Sequence, residues 1–310
     1  MNFLEKIENF GSNVCLIDEN KKYFSYKNVL TKGEILSKNL KSRSLIFVLA
    51  ENDIEFFTGY ISFFKKGIVQ MLLNSKIPTA FLNEIIETYM PNYIFLPNSR
   101  KNDLKSCEVL SELDNYKIIE LNKSNSYSLN KDLILLLGTS GSTGSKKFVR
   151  ISYENIYHNT QDIVNFLKIN ENHKTITTMP SFYTYGLSVI NTHLFAGASI
   201  LVTNARAIEK FFWKLMRDQK VCSFAGVPYF YEVLNKMKFD KIDLPHLKYF
   251  TQAGGALRKD LIKYFMAYSV KNKKEFVVMY GQTEATARMT YLPYKMLKKK
   301  IGSVGIPITG

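Results

Sequence analysis

One loop of the sequence has the composition of a phosphate-binding site. Residues 138–147 interleave glycine with serine and threonine and end in Lys146 and Lys147. Glycine lets the backbone approach a ligand and turn its N–H groups inward, while hydroxyls and lysines add donors and charge. These residue types predict a site for a polyphosphate. A polar surface turn is the alternative for such a loop taken alone.

The loop differs from the common nucleotide and catalytic motifs. Thr143 stands where a Walker A loop needs its second glycine, and Ser142 stands where a nucleophile elbow needs its closing glycine. No GxGxxG motif occurs in the chain. The neighbouring elements must therefore decide what the loop does.

Apolar runs alternate with amphipathic segments along most of the chain. Leu133–Leu137 is an apolar strand that leads directly into the loop, and a helix is predicted over 153–168 with Ser152 as its cap. A second helix is predicted to begin at Asn52 and to stop at Gly67. Continuous apolar strands separated by such helices predict an α/β fold with largely parallel sheets covered by helices. Further strands are predicted over 44–50, 93–96, 116–121, 175–179, 199–203, 221–224, 248–252 and 276–280, and further helices over 80–90, 207–219 and 229–236.

The order of motifs resembles the adenylate-forming superfamily of acyl-CoA synthetases, fatty-acyl-AMP ligases, peptide-synthetase adenylation domains and luciferases. The phosphate loop is its first motif, and the resemblance extends over nearly the whole chain. The later motifs are the aromatic stretch within 177–197, the glycine turn 253–257, the segment Tyr280-Gly281-Gln282-Thr283-Glu284, and the segment 302–307 of the form GxVGxP.

The resemblance implies the N-terminal lobe of an adenylate-forming ligase, with a first α/β subdomain over 1–130 and a second over 131–310. The implied enzyme is an acid–thiol ligase, which uses ATP and Mg²⁺ to convert a carboxylic acid, such as a fatty acid, into an acyl-adenylate. Transfer to CoA or to a phosphopantetheine carrier protein would follow.

The same resemblance assigns roles to individual residues. Lys147, Thr283 and Glu284 are the expected catalytic residues, with Glu284 binding Mg²⁺, and Tyr280 is expected to stack on adenine. The expected nucleotide-binding residues are Thr139, Ser140, Gly141, Ser142, Thr143, Gly144, Lys147, Gly254, Gly255, Ala256, Tyr280, Gly281, Gln282 and Thr283. The expected walls of the acyl pocket are Phe182, Tyr183, Tyr185, Gly186, Val227 and Pro228.

Purely structural roles are an alternative for several of these residues. Tyr280 is also compatible with ordinary core at a strand end, and Glu284 with a helix cap. The aromatic residues Phe182, Tyr183 and Tyr185 are equally compatible with plain packing.

The sequence departs from the family pattern at three places. Lys146 replaces the usual proline, Phe148 replaces the usual glycine after the lysine, and Tyr183 stands where many acyl-CoA synthetases have histidine. The sequence also stops after the GxVGxP segment, before the expected C-terminal domain with its catalytic lysine. We therefore expect impaired catalysis by this chain alone, or a separate partner lobe. A catalytically inactive nucleotide- or acyl-binding remnant is the alternative.

Composition limits the other classes of function. The chain of 310 residues has 42 Lys and Arg against 27 Asp and Glu, a net charge of +15 that favours an anionic partner. Three dispersed cysteines and the absence of a signal peptide or long apolar run predict a cytoplasmic protein with no membrane span. The four histidines show no zinc-ligand spacing, and no nucleic-acid-binding motif is recognised.

Overall fold

The chain folds into two compact units. The structure, a computed structural model, describes residues 3–103, 108–121, 128–139 and 147–309. The first unit comprises residues 1–12, 25–157 and 180–183, and the second comprises 13–24, 158–179 and 184–310. Compared with the expected boundary after residue 130, the first unit extends to Tyr157 and the second takes in the strand Val14–Ile17.

Helices and strands alternate along most of the described residues. The strands are β1 (Val14–Ile17), β2 (Tyr23–Ser25), β3 (Leu45–Ala50), β4 (Val69–Asn74), β5 (Tyr93–Pro97), β6 (Glu108–Glu112), β7 (Tyr116–Glu120), β8 (Leu133–Leu137), β9 (Val149–Ser152), β10 (Lys174–Ile176), β11 (Ser199–Leu201), β12 (Ser223–Gly226), β13 (Tyr249–Gln252), β14 (Glu275–Gln282), β15 (Ala287–Leu292) and β16 (Ile306–Pro307). The helices are α1 (Phe3–Glu8), α2 (Tyr26–Ser37), α3 (Ile54–Lys65), α4 (Thr79–Tyr89), α5 (Tyr153–Leu167), α6 (Thr184–Phe195), α7 (Lys210–Asp218), α8 (Pro228–Lys236) and α9 (Lys259–Lys271).

The sheet of the first unit has a parallel centre and antiparallel edges. Its order is β6-β7-β5-β3-β4-β8-β9, in which β5, β3, β4 and β8 run parallel. β3 is buried along its whole length, as expected for a strand covered on both faces. β7 pairs antiparallel with β5, and β9 pairs antiparallel with β8.

Helix α3 packs closely on this sheet, but its start differs from the prediction. The cap is Asp53 and not Asn52, because the Asp53 carboxylate accepts a 2.7 Å hydrogen bond from the backbone N–H of Glu55. A Cβ at Gly59 would lie 2.5 Å from the Phe95 ring of β5, so the absence of a side chain there lets the helix approach the sheet.

The predicted cap of α5 is confirmed, since the Ser152 hydroxyl accepts a hydrogen bond from the backbone N–H of Asn155 at 3.1 Å.

The second unit is built on a longer sheet whose order is β16-β15-β14-β13-β12-β10-β11-β1-β2. Across this sheet, neighbouring strands from β14 through β13, β12, β10 and β11 to β1 are parallel. At one edge, β15 pairs antiparallel with β14, and β16 pairs antiparallel with β15. Helices α7, α8 and α9 contribute to an aromatic-rich core with Phe239 and Phe250. Trp213, the single tryptophan of the chain, lies in this core, and its indole N–H donates to the Ala207 carbonyl at 2.6 Å. The predicted α/β fold with largely parallel sheets is confirmed.

No helix among the described residues is long and apolar enough to cross a membrane.

Candidate functional site

Several expected nucleotide-binding residues meet at one edge of the second unit's sheet. β12, β13 and β14 run parallel, with Gly226 opposite Gln252 and Gln252 opposite Val278. The segments that follow these strands therefore leave the sheet at the same edge. In open α/β sheets, this carboxyl edge is where ligands bind.

The glycine turn after β13 is held by a buried amide. The Gln252 side chain is buried, and its Nε2 donates to the Gly255 carbonyl at 2.8 Å. Gly254 has a φ of +80° and Gly255 a φ of +157°, backbone conformations that L-residues with a side chain rarely adopt. A Cβ at Gly255 would lie 3.1 Å from Pro228 Cγ, which places the turn after β12 beside the turn after β13. Gly254, Gly255 and Ala256 are exposed.

Tyr280 projects into solvent at the end of β14. It is 44% exposed, so its alternative assignment as ordinary core is wrong. The pairing of β14 with β15 is irregular between Tyr280 and Gly281. A Cβ at Gly281 would lie 1.5 Å from the Ala287 carbonyl oxygen, so only glycine fits this approach. An exposed ring beside an exposed glycine turn is a suitable surface for a flat heterocycle.

Thr283 and Glu284 lie in a short 3-10 turn after β14 and face different environments. Thr283 is buried, and its hydroxyl shares a 2.8 Å hydrogen bond with that of Thr184 at the start of α6. Glu284 is exposed. Thr286 and Ala287, which follow the turn, have φ values of +67° and +130°, which are unfavourable for residues with a side chain. The surrounding structure thus holds this turn in a strained conformation, a feature that concentrates at functional sites.

The phosphate loop connects two paired strands of the first unit. Leu137 of β8 lies opposite Val149 of β9, so the pairing holds the two ends of residues 138–148 side by side. Thr139 is half-buried and Lys147 is exposed. Phe148 packs edge-on against Tyr89 at a ring distance of 5.6 Å, which anchors the chain after Lys147 in the core of this unit. The expected loop residues Ser140, Gly141, Ser142, Thr143 and Gly144 lie outside the described residues, as does Lys146.

The aromatic residues expected in the acyl pocket are distributed over both units. Phe182 and Tyr183 belong to the first unit and are half-buried. Burial raises the pKa of the Tyr183 phenol, which therefore stays protonated at neutral pH. Tyr185 and Gly186 belong to the second unit and are buried in α6, where the Tyr185 hydroxyl lies 2.7 Å from Thr251 Oγ1. Val227, at the start of α8 in the second unit, is half-buried.

The structure adds a buried polar cluster around α6 that sequence reasoning missed. Arg288 of β15 is only 2% exposed, and its Nε donates to Ser188 Oγ of α6 at 3.1 Å. The Arg288 guanidinium also lies 5.6 Å from the centre of the Tyr185 ring, within range of a cation–π contact. A positive charge in such a neighbourhood is unusual, because charged side chains are rarely fully buried unless they are paired.

His193 belongs to the same cluster. Its Nδ1 lies 2.8 Å from the Val189 carbonyl, and because a carbonyl only accepts, Nδ1 carries the proton of the neutral ring. Nε2 then faces the hydroxyls of Ser223 at 3.4 Å and Tyr249 at 3.5 Å. Burial lowers the pKa of His193 to about 3, so the ring is uncharged at neutral pH. His193 is therefore a buried residue in the interior of the second unit.

The site residues are compatible with Mg²⁺ brought by a nucleotide. Among the described residues, no group of three or more His, Cys, Asp or Glu is placed to hold a metal ion. Mg²⁺ in nucleotide sites is commonly held by one or two carboxylates together with substrate phosphates. The exposed carboxylate of Glu284 meets that requirement for a protein ligand.

Comparison with known proteins identifies the family. Residues 3–310 match the family model of AMP-binding enzymes, and the chain belongs to this family. Oxalate–CoA ligase of Saccharomyces cerevisiae is 27% identical over 205 residues, which cover 64% of this chain and 36% of the yeast protein. Long-chain-fatty-acid–CoA ligase FadD13 of Mycobacterium tuberculosis is 25% identical over 178 residues, which cover 56% of this chain and 34% of that protein.

A solved structure agrees with the sequence comparison. The inhibitor-bound N-terminal domain of FACL13 from Mycobacterium tuberculosis superposes with a TM-score of 0.80 at 16% identity, covering 99% of this chain and 82% of that domain. The fold is therefore that of an N-terminal domain of an adenylate-forming enzyme. By contrast, the matched regions span only about a third of the length of the two curated relatives.

Proposed function

We propose that the protein activates a carboxylic acid with ATP, forming an acyl-adenylate and pyrophosphate, for transfer of the acyl group to CoA or to a carrier protein. Family membership supports the adenylation step, and the names of the two curated relatives support an acid–thiol ligase. We place this activity in the cytoplasm, on the grounds of the three dispersed cysteines.

The observation that carries the proposal is the arrangement at the carboxyl edge of the second unit's sheet. The exposed ring of Tyr280 lies near the end of β14, and the exposed turn at Gly254 and Gly255 follows β13, which pairs directly with β14. Tyr280 would stack on adenine, and the backbone of the glycine turn would approach its edge. Both features are exposed on the second unit.

The reaction brings together two anions, the carboxylate and the α-phosphate, so the site must neutralise charge and align the attack. Thr283 would lie near the α-phosphate, and Glu284 would hold Mg²⁺, which supplies charge neutralisation on the phosphates when bound. Lys147 and the hydroxyls of the phosphate loop would contact the β- and γ-phosphates. The net charge of +15 suits either proposed acceptor, because CoA carries phosphates and carrier-protein surfaces are acidic.

The proposal is tested first by calorimetric binding of Mg-ATP to the 310-residue chain. Tyr280→Ala removes the stacking surface and is expected to weaken binding about tenfold. Tyr23→Ala is the matched control, since Tyr23 is also exposed but lies on β2, at the far edge of the same sheet. A second variant, Thr143→Ala/Lys147→Ala, tests the phosphate loop independently of the adenine side.

Acid-dependent exchange of labelled pyrophosphate into ATP then tests the chemistry. Selective loss of Mg-ATP binding in the Tyr280 and loop variants, together with exchange that requires an added acid, supports the proposal. Equal binding by wild type and both variants contradicts the assigned nucleotide site. Nucleotide binding without exchange for any acid favours the alternative of a non-catalytic binding protein.

A further inference from the structure

The buried guanidinium of Arg288 has an unused hydrogen-bonding group. Its Nε is occupied by Ser188, but Nη2 is buried and has no hydrogen-bond partner among the described residues. None of the ion pairs formed among the described residues includes Arg288. Buried charges in folded proteins are normally paired and hydrogen-bonded, because leaving one unpaired is strongly destabilising.

Among the described residues, the neighbours of Arg288 supply hydroxyls but no negative charge. Tyr185 presents its ring face, and its hydroxyl is bonded to Thr251. His193 is neutral and therefore does not compete for an anion. Burial lowers the pKa of Arg288 to about 10, which leaves the guanidinium charged at neutral pH. The described part of the cluster therefore holds a positive charge at Arg288 but no anion that pairs with it.

The cluster is linked through α6 to the residue expected at the reacting phosphate. Thr283 shares a hydrogen bond with Thr184, the first residue of α6, and Arg288 bonds to Ser188 on the same helix. Residues four apart on an α-helix share one face and are separated by roughly 6 Å along the axis. An acid with its reacting carboxylate near Thr283 would thus need only a short chain to bring a second anionic group to Arg288.

We propose that Arg288 is a specificity residue that binds a second carboxylate of the acid substrate, so that the protein activates short dicarboxylic acids. This inference rests on the proposed function, because it assigns the acid that the adenylation site would use. A guanidinium binds a carboxylate through two parallel N–H donors. Arg288 Nη2 is free to contribute one of them.

The test compares binding of matched acids to the full chain with Mg-ATP present. Malonate, succinate and glutarate are each measured beside the monocarboxylic acid of the same carbon number: propionate, butyrate and pentanoate. Wild type is expected to bind at least one dicarboxylate about tenfold or more tightly than its matched monocarboxylate, the contribution of a charge-assisted hydrogen bond.

Three variants separate recognition from folding. Arg288→Met removes the charge at similar volume and is expected to abolish the dicarboxylate preference while retaining the melting temperature, since a buried unpaired charge is replaced by an apolar side chain. Arg288→Lys keeps the charge but loses the paired donors, and it is expected to reduce the preference. Arg258→Met removes the same charge from a side chain that is 64% exposed, and it should leave the preference unchanged.

The outcomes distinguish this inference from the function on which it rests. Binding of Mg-ATP without a dicarboxylate preference overturns the role of Arg288 and leaves nucleotide binding intact. An undiminished preference in Arg288→Lys also overturns it, and this variant remains informative if Arg288→Met does not fold. Failure of wild type to bind Mg-ATP refutes the proposed function itself and removes the inference with it.

Discussion

The neutral, buried imidazole of His193 makes the stability of the protein sensitive to acid. The ring is 2% exposed and is surrounded by the hydroxyls of Ser223 and Tyr249, with the Arg288 charge and His173 both opposing its protonation. We therefore choose His193→Gln as the perturbation, because glutamine keeps a hydrogen-bonding amide but cannot take up a proton.

The magnitude follows from the difference between the folded and unfolded pKa of this group. The pKa of His193 is about 3 in the folded chain and about 6.5 in the unfolded chain. At a pH between these values, the unfolded chain therefore binds a proton at this ring and the folded chain does not. Stability therefore falls as the pH drops through 6.5. Between pH 7 and pH 5, His193 should lower the free energy of unfolding by about 2 kcal/mol.

The assay is urea unfolding at pH 7 and pH 5, for wild type, His193→Gln and the exposed control His246→Gln. Other groups also titrate. The half-buried Asp53 and the buried Glu55, whose pKa values are raised by burial, act in the opposite direction. The quantity of interest is thus the change in pH sensitivity between variants. We expect His193→Gln to lose about 2 kcal/mol of that sensitivity. His246→Gln shows what the same substitution does at an exposed position.

An NMR titration of the imidazole resonances checks the same argument without unfolding. The resonance absent from His193→Gln should not shift between pH 8 and pH 5. A midpoint near pH 6.5 for that resonance, or equal pH sensitivity in wild type and His193→Gln, would refute the reasoning.

Two further predictions concern the close backbone approach at Gly281 and the cap of α5. Gly281→Ala should cost at least about 3 kcal/mol of stability, because the new Cβ would overlap the Ala287 carbonyl, and it should also weaken Mg-ATP binding. Gly67→Ala is its control, since only ordinary contact surrounds that position and the left-handed backbone costs about 1–2 kcal/mol; equal losses in urea unfolding would contradict the steric argument. Ser152→Ala should cost about 1 kcal/mol by removing the cap of α5, whereas Ser152→Asp should retain most of it. No loss on Ser152→Ala would show that the 3.1 Å bond to Asn155 contributes nothing to stability.

The parts of the fold that could be predicted are those in which a local pattern and burial agree. The apolar run Leu133–Leu137 is a buried strand with the predicted bounds, and α5 begins after the predicted Ser152 cap. Strand β4 was missed because Gln70 interrupts its apolar run. That glutamine is fully buried, and its Nε2 donates to the Tyr60 carbonyl, a long-range contact that no local pattern reveals.

The candidate site also has residues that the sequence predicts and residues that it does not. Motif order singled out Tyr280 and the glycine turn, and both are exposed at one sheet edge, whereas their roles stay proposals. Arg288 could not be predicted, because an arginine in a strand is normally an exposed residue. Only the packing of β15 against α6 buries it, and that packing depends on residues 100 positions apart in the sequence.

The position of Trp213 gives the second unit an optical signature of its own. The single indole is enclosed by Phe212 and Phe239 in the core of the second unit. Intrinsic tryptophan fluorescence therefore reports on the second unit alone, whereas far-ultraviolet circular dichroism averages over the helices and strands of both. Denaturation followed by the two signals together would show whether the units lose structure in one step or in sequence, without any label being introduced.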